Sequence, residues 1–136
     1  MNFLVYVLFV TLKVMIPLFP LKFIQFMTKF KGKFFYYIIP IRKNTAISNL
    51  KLAFPEKSEK EIKEIVKGCY VNVMTVIGEF FYMEHLTAQK LSNLLKVTNI
   101  EMIDEKLKQG KGLIFISGHF GNWELTAYGI PKLLNR

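Results

Sequence analysis

The chain has 136 residues and a net charge of +9, with 51% apolar and 15% aromatic residues. That is room for one small domain, with a higher apolar content than a freely soluble domain usually has. Its single cysteine, Cys69, excludes an internal disulfide framework. Lys13, Lys22, Lys29, Lys31, Lys33, Arg42 and Lys43 give residues 1–43 seven of the nine net charges, with no acid among them. Because this basic block is interleaved with Phe, Tyr, Ile and Met, it fits a membrane interface better than nucleic acid.

In chain order, Phe3 to Phe23 is almost wholly apolar, interrupted by Thr11, Lys13, Pro17, Pro20 and Lys22. About twenty such residues suffice to cross a bilayer as a helix. Lys13 near the middle costs roughly 2.5–3.5 kcal/mol on insertion scales, and Pro17 kinks a helix. A transmembrane span and an interfacial or re-entrant anchor are both open on this reading. No basic stretch precedes the run and no small-residue cleavage site follows it, so a cleaved signal peptide is not expected. The basic residues after the run put the remainder on the cytoplasmic side. Phe23 to Ile39 reads as a second helix lying in the interface, which makes residues 1–40 the anchor and 41–136 the remainder.

Residues 41–54 are expected as a short helix ended by Pro55. Ser58 and Glu61 form a capping box that opens a long helix. Along that helix Ile62, Ile65, Val66, Cys69, Val73, Val76, Ile77 and Phe80 make an apolar stripe, which places Cys69 in the core. Glu79 has two readings, an ordinary surface residue or a group lining a site. His85 reads as a surface histidine. Thr87 caps a helix through Leu95, and Lys96 to Thr98 is expected as a brief strand. Asn99 caps another helix, with Gly110 as its C-terminal stop.

The chemistry is concentrated beyond this point. Leu113 to Ile116, set between Gly112 and Gly118, reads as a buried strand running to Ser117. A helix follows from Asn122, carrying Trp123, Leu125, Ala127 and Tyr128, with Pro131 as an expected break. His119 and Glu124 thus fall on a strand-to-helix connection, where ligands and catalytic groups gather in α/β folds. Imidazole can take a proton from a hydroxyl when a carboxylate holds its other nitrogen. Gly118 and Gly121 lack the Cβ that resists a tight reversal, so Glu124 can return onto His119. Helix N-terminal amides beside the histidine suit an anionic group such as phosphate. A zinc site is not expected, since the spacing is not His-Glu-x-x-His and no second histidine lies nearby.

The run Ser117-Gly-His-Phe-Gly-Asn-Trp-Glu124 closely resembles the His-x4-acid block of the lipid A biosynthesis late acyltransferases, the lauroyl/myristoyl family. Asn49-Leu50 followed by Ala53-Phe54-Pro55-Glu56 is similar to a second segment of that family, and the apolar, basic N-terminus to its membrane anchor. The resemblance implies a glycerolipid-acyltransferase-like α/β fold. It also implies transfer of a fatty acyl chain from acyl carrier protein to a hydroxyl of a lipid A precursor, at the cytoplasmic face of the inner membrane. His119 would then be the general base and Glu124 its orienting acid. Gly118, Gly121 and Asn122 would shape the loop, and Trp123 would pack under it or line the acyl path. No metal and no cofactor beyond the acyl carrier protein thioester is implied. Because that family is about twice this length, the chain looks like its N-terminal half, with a separately encoded C-terminal half as a possible partner. Two rivals stand beside this reading. One is a glycerolipid acyltransferase, although Gly-Asn-Trp-Glu is wrong for that group; the other is an inactive membrane-associated fragment.

Overall fold

A computed structural model describes residues 2–110 and 112–133. Seven α-helices form among them: α1 (Phe3–Met15), α2 (Leu21–Ile38), α3 (Lys43–Ala53), α4 (Glu59–Tyr82), α5 (Ala88–Leu94), α6 (Ile100–Lys108) and α7 (Trp123–Leu133). The contacts divide into two compact units, one up to Tyr82 and one from Met83 onward.

In the first unit, α1 begins at Asn2, whose side chain accepts from the Leu4 amide at 3.4 Å. It ends at Met15 because Pro17 has no N–H to continue the ladder, and the chain tightens into a 3₁₀ turn, Ile16–Leu18. Phe19, held extended by the Pro20 that follows it, separates this turn from α2. A 13-residue helix rises only about 20 Å, against about 30 Å of hydrocarbon. Among the described residues, no helix is long and apolar enough to cross a membrane, so the transmembrane option for Phe3 to Phe23 is not realised.

The body of this unit is an antiparallel pair, α2 against α4. Its seam is made of small and polar groups. Gln25 Nε2 donates to Glu79 Oε1 at 2.7 Å, and the hydroxyls of Thr28 and Thr75 lie 3.3 Å apart. A Cβ at Gly32 would stand 2.4 Å from Val71 Cα, so the two backbones approach as closely as only glycine permits. Further along, the Tyr36 and Tyr70 rings meet edge to face at 5.7 Å, and Tyr70 donates to the Ile41 carbonyl. Glu79 therefore ties two helices together, which neither sequence reading anticipated.

Helix α4 starts as its capping box requires. The Ser58 amide and hydroxyl both donate to Glu61 Oε2, at 2.8 and 2.6 Å, and the Glu61 amide donates back to Ser58 Oγ at 3.4 Å. The buried face then changes along the helix. Ile62 and Val66 are fully buried in its first half, and Gly78 and Tyr82 are buried in its second. The expected apolar stripe is covered only in part: Val73, Ile77 and Phe80 are exposed, and so is Cys69. The face turned to α2 carries Tyr70, Val71, Thr75, Gly78 and Glu79.

In the second unit, α5 is capped by Thr87, whose hydroxyl accepts from the Lys90 amide at 3.3 Å. Helix α7 packs on α5 around Gly129, where a Cβ would meet Leu95 Cδ1 at 2.3 Å, beside fully buried Leu91. Lys132 reaches the Leu86 carbonyl at 3.3 Å from the same helix. Asn99 takes the N-cap position of α6 in a left-handed conformation (φ 56°), without a side-chain cap bond. Gly110 stops α6 as expected, at φ 72° with its amide donating to Leu107 O. Pro131 does not break α7. It falls within the last turn, where the one backbone bond it removes matters least.

Two sequence expectations fail here for one reason. Neither Leu113 to Ser117 nor Lys96 to Thr98 is a strand, and the described residues contain no strand at all. A strand satisfies its amides and carbonyls only against a neighbour, and none is available within these residues. The apolar run that reads as buried is instead exposed, Ile114 at 92% and Ile116 at 96%. The described fold is thus helical, and the α/β layer implied by the sequence is not formed in it.

Candidate active site

The candidate residues lie on the irregular segment from Gly112 and the first turn of α7. A tight turn centred on His119 closes through the Phe120 amide, which donates to Gly118 O at 2.9 Å. Gly121 follows in the left-handed region (φ 54°), where a side chain is disfavoured. Gly118 does not need that freedom; a Cβ there would touch only the Phe120 ring, at 3.3 Å. Asn122 then caps α7, its Oδ1 accepting from the Leu125 amide at 3.0 Å. These local bonds turn the chain from an exposed segment into a helix within four residues, and they set His119 just ahead of that helix.

His119 is exposed, and its ring packs against Trp123 with centroids 4.6 Å apart and planes tilted by 40°. Glu124, the next residue, is half-buried, and its Oε2 is buried without a hydrogen-bond partner. Such an oxygen costs about 1–3 kcal/mol to leave unsatisfied. Among the described residues no hydrogen bond or ion pair joins Glu124 to His119. The direct contact to the imidazole is made by the indole.

Trp123 also forms one wall of a groove of about 370 Å³, lined with Phe115, Ser117, Thr126, Ala127, Ile130 and Pro131. That volume lies within the range of small-molecule sites, and all but two of its lining side chains are apolar. Positions 123, 126, 127, 130 and 131 recur at three-and-four spacing, so they share one face of α7, while Gly129 faces α5. The same spacing, counted from Trp123, would have found the α7 side of the groove in the sequence. Phe115 and Ser117 carry no such signal, because their place over the helix depends on how the Gly118–Gly121 turn folds back.

The site thus sets an exposed imidazole, through the indole it touches, beside an apolar groove. The family model described as bacterial lipid A biosynthesis acyltransferase matches residues 1–133, and the chain belongs to that family. No curated protein and no solved structure matches it.

Proposed function

We propose that this protein transfers a fatty acyl chain from the thioester of acyl carrier protein to a hydroxyl of a lipid A precursor, at the cytoplasmic face of the inner membrane. His119 takes the hydroxyl proton as the oxygen attacks the thioester carbonyl. The carbon–sulfur bond then breaks, and the imidazolium returns its proton to the departing thiolate. Glu124 accepts from the other ring nitrogen, which fixes the tautomer and stabilises the imidazolium. Gly118, Gly121 and Asn122 hold the loop, and Trp123 guides the acyl chain along the groove. Beyond the thioester donor the scheme requires no cofactor.

The observation that carries this reading is the buried, unpartnered Oε2 of Glu124, one residue from the indole that holds His119. A carboxylate oxygen left without a donor, one residue from the indole that touches the imidazole, supports a dyad that forms when substrate binds. Catalytic hydrogen bonds are often long in the absence of substrate.

The test is acyl transfer by wild type, His119→Ala, Glu124→Gln and the double variant. His119→Ala is expected to lose ~10²–10⁴-fold. Glu124→Gln is expected to lower kcat more than it raises KM, and the double variant to be little worse than His119→Ala, because the two residues act as a unit. Losses that multiply would show two independent groups and end the dyad reading. A wild-type chain that transfers no acyl group would end the activity reading as well.

A further inference from the structure

Trp123 offers one apolar ring to two partners. Its indole touches the His119 imidazole, with centroids 4.6 Å apart, and it also walls the groove of about 370 Å³ together with Ala127 and Ile130. Ala127 stands one helical turn beyond Trp123 and Ile130 two turns beyond it, on the same face of α7. The methyl of Ala127 is too small to cover the indole from that side, and Trp123 is only half-buried. In this structure the imidazole is what lies against the ring.

The contact has a consequence for Glu124. Successive positions on a helix diverge by about 100°, so an imidazole laid against the indole is turned away from the carboxylate of the next residue. One that bonds the carboxylate must leave the indole. The structure shows the first arrangement: the ring contact is made, and Glu124 Oε2 is buried without a partner. His119 is exposed, and among the described residues no hydrogen bond fixes its ring, so it can exchange one partner for the other.

We propose that Trp123 is a positioning residue that couples the acyl chain to the dyad. A chain lying along the groove covers the indole, displaces the imidazole from it, and so releases His119 to Glu124. This deepens the reading above and rests on its assignment of the groove to the acyl chain and of His119 to the base. The magnitudes favour the exchange. A ring contact favours the paired arrangement about two- to twelvefold, the ratio that corresponds to about 0.5–1.5 kcal/mol. Each methylene removed from water contributes about fourfold, the ratio that corresponds to about 0.8 kcal/mol, so two or three methylenes on the indole outweigh the imidazole. A base assembled in this way acts poorly on a thioester whose acyl group is too short to reach Trp123.

The chain has one tryptophan and two histidines, so both sides of the contact can be followed directly. The full chain, in a steroid detergent that brings no acyl chain, is titrated with the dodecyl thioether of pantetheine, and with pantetheine alone as the control. In proton NMR the His119 ring signals, identified by their loss in His119→Gln, are expected to carry the upfield displacement imposed by an adjacent indole. The thioether should remove that displacement, while pantetheine alone should not, and His85 should stay unmoved. In Trp123→Leu the displacement is absent from the outset and the thioether changes nothing. Trp123→Phe, which keeps a ring, should retain the response, so a Phe variant that behaves as the Leu variant would count against the ring contact. In the transfer assay kcat should rise by up to about twelvefold from acetyl to dodecanoyl donors in wild type, and stay level in Trp123→Leu. A thioether that shifts Trp123 emission to the blue but leaves His119 unmoved would overturn the inference and spare the proposed transfer. One that moves neither signal would overturn both the inference and the assignment of the groove. A His119 signal that responds in a protein unable to transfer acyl groups would bear out the exchange and end the proposed activity.

Discussion

Replacing Gly32 by Ala sets two well-defined effects against each other. In a helix interior the exchange gains about 1 kcal/mol of propensity. At Gly32, however, the new Cβ would lie 2.4 Å from Val71 Cα, 2.9 Å from Val71 N and 3.0 Å from Tyr70 O. Carbon atoms prefer about 3.5–4.0 Å, and backbone cannot rotate aside, so α2 and α4 must part by roughly 1 Å. Overpacking of this kind typically costs about 1–3 kcal/mol. The same opening would stretch the Thr28–Thr75 contact of 3.3 Å beyond bonding distance, forfeiting a further ~0.5–1.5 kcal/mol. The balance is a net loss of about 1–3 kcal/mol. Two other glycines of the same unit calibrate it. Gly68 has nothing within 4 Å of its notional Cβ, so Gly68→Ala should stabilise by up to about 1 kcal/mol. Gly78→Ala should fall between, since it meets only the methyls of Thr28 and Ile24, at 2.7 and 3.0 Å, and side chains can yield. Denaturant unfolding followed by far-ultraviolet circular dichroism, in one detergent for all four proteins, gives the order. A Gly32→Ala protein as stable as Gly68→Ala would show that the helices do not approach as described.

Gly121→Ala isolates backbone conformation from packing, because a Cβ there would meet nothing within 4 Å beyond its chain neighbours while φ is 54°. It should lower stability by about 1–2 kcal/mol through the left-handed penalty alone, with Gly121→Asn milder; equal stability for Ala and wild type in thermal melts would argue against the turn. The Glu61 carboxyl should titrate below the usual carboxylate range, held there first by the Ser58 hydroxyl and then by the Ser58 amide. A depressed value means that the capping contribution is present above the unfolded value and is lost as pH falls through the folded one. Ser58→Ala should move the Glu61 titration, followed by NMR, back toward normal, and an unmoved curve would place the cause elsewhere.

What could be read from the sequence is what a few neighbouring residues settle among themselves. Ser58 with Glu61, Thr87 with Lys90, Asn122 with Leu125, Gly110 and Gly121 each act within three or four positions, so the starts of α4, α5 and α7 and the stop of α6 were legible before any packing was known. The candidate site was legible for the same reason, because His119, Gly121, Asn122, Trp123 and Glu124 fall within six consecutive residues. Burial is different, since it depends on what arrives from elsewhere in the chain. Hydropathy marked Cys69, Val73, Ile77 and Phe80 as the inner face of α4, yet the helix pair forms where backbones can come closest, at Gly32, Thr28, Thr75 and Gly78. Apolar periodicity measures aversion to water and carries no information about how near two helices can approach. Leu113 to Ile116 has the composition of a strand, but a strand is a relation between two segments, and one segment's composition cannot supply the other. The groove beside Trp123 has the same character. Its α7 wall follows from helical spacing, and its far wall, Phe115 and Ser117, exists only because the turn at His119 brings the preceding segment back over the helix.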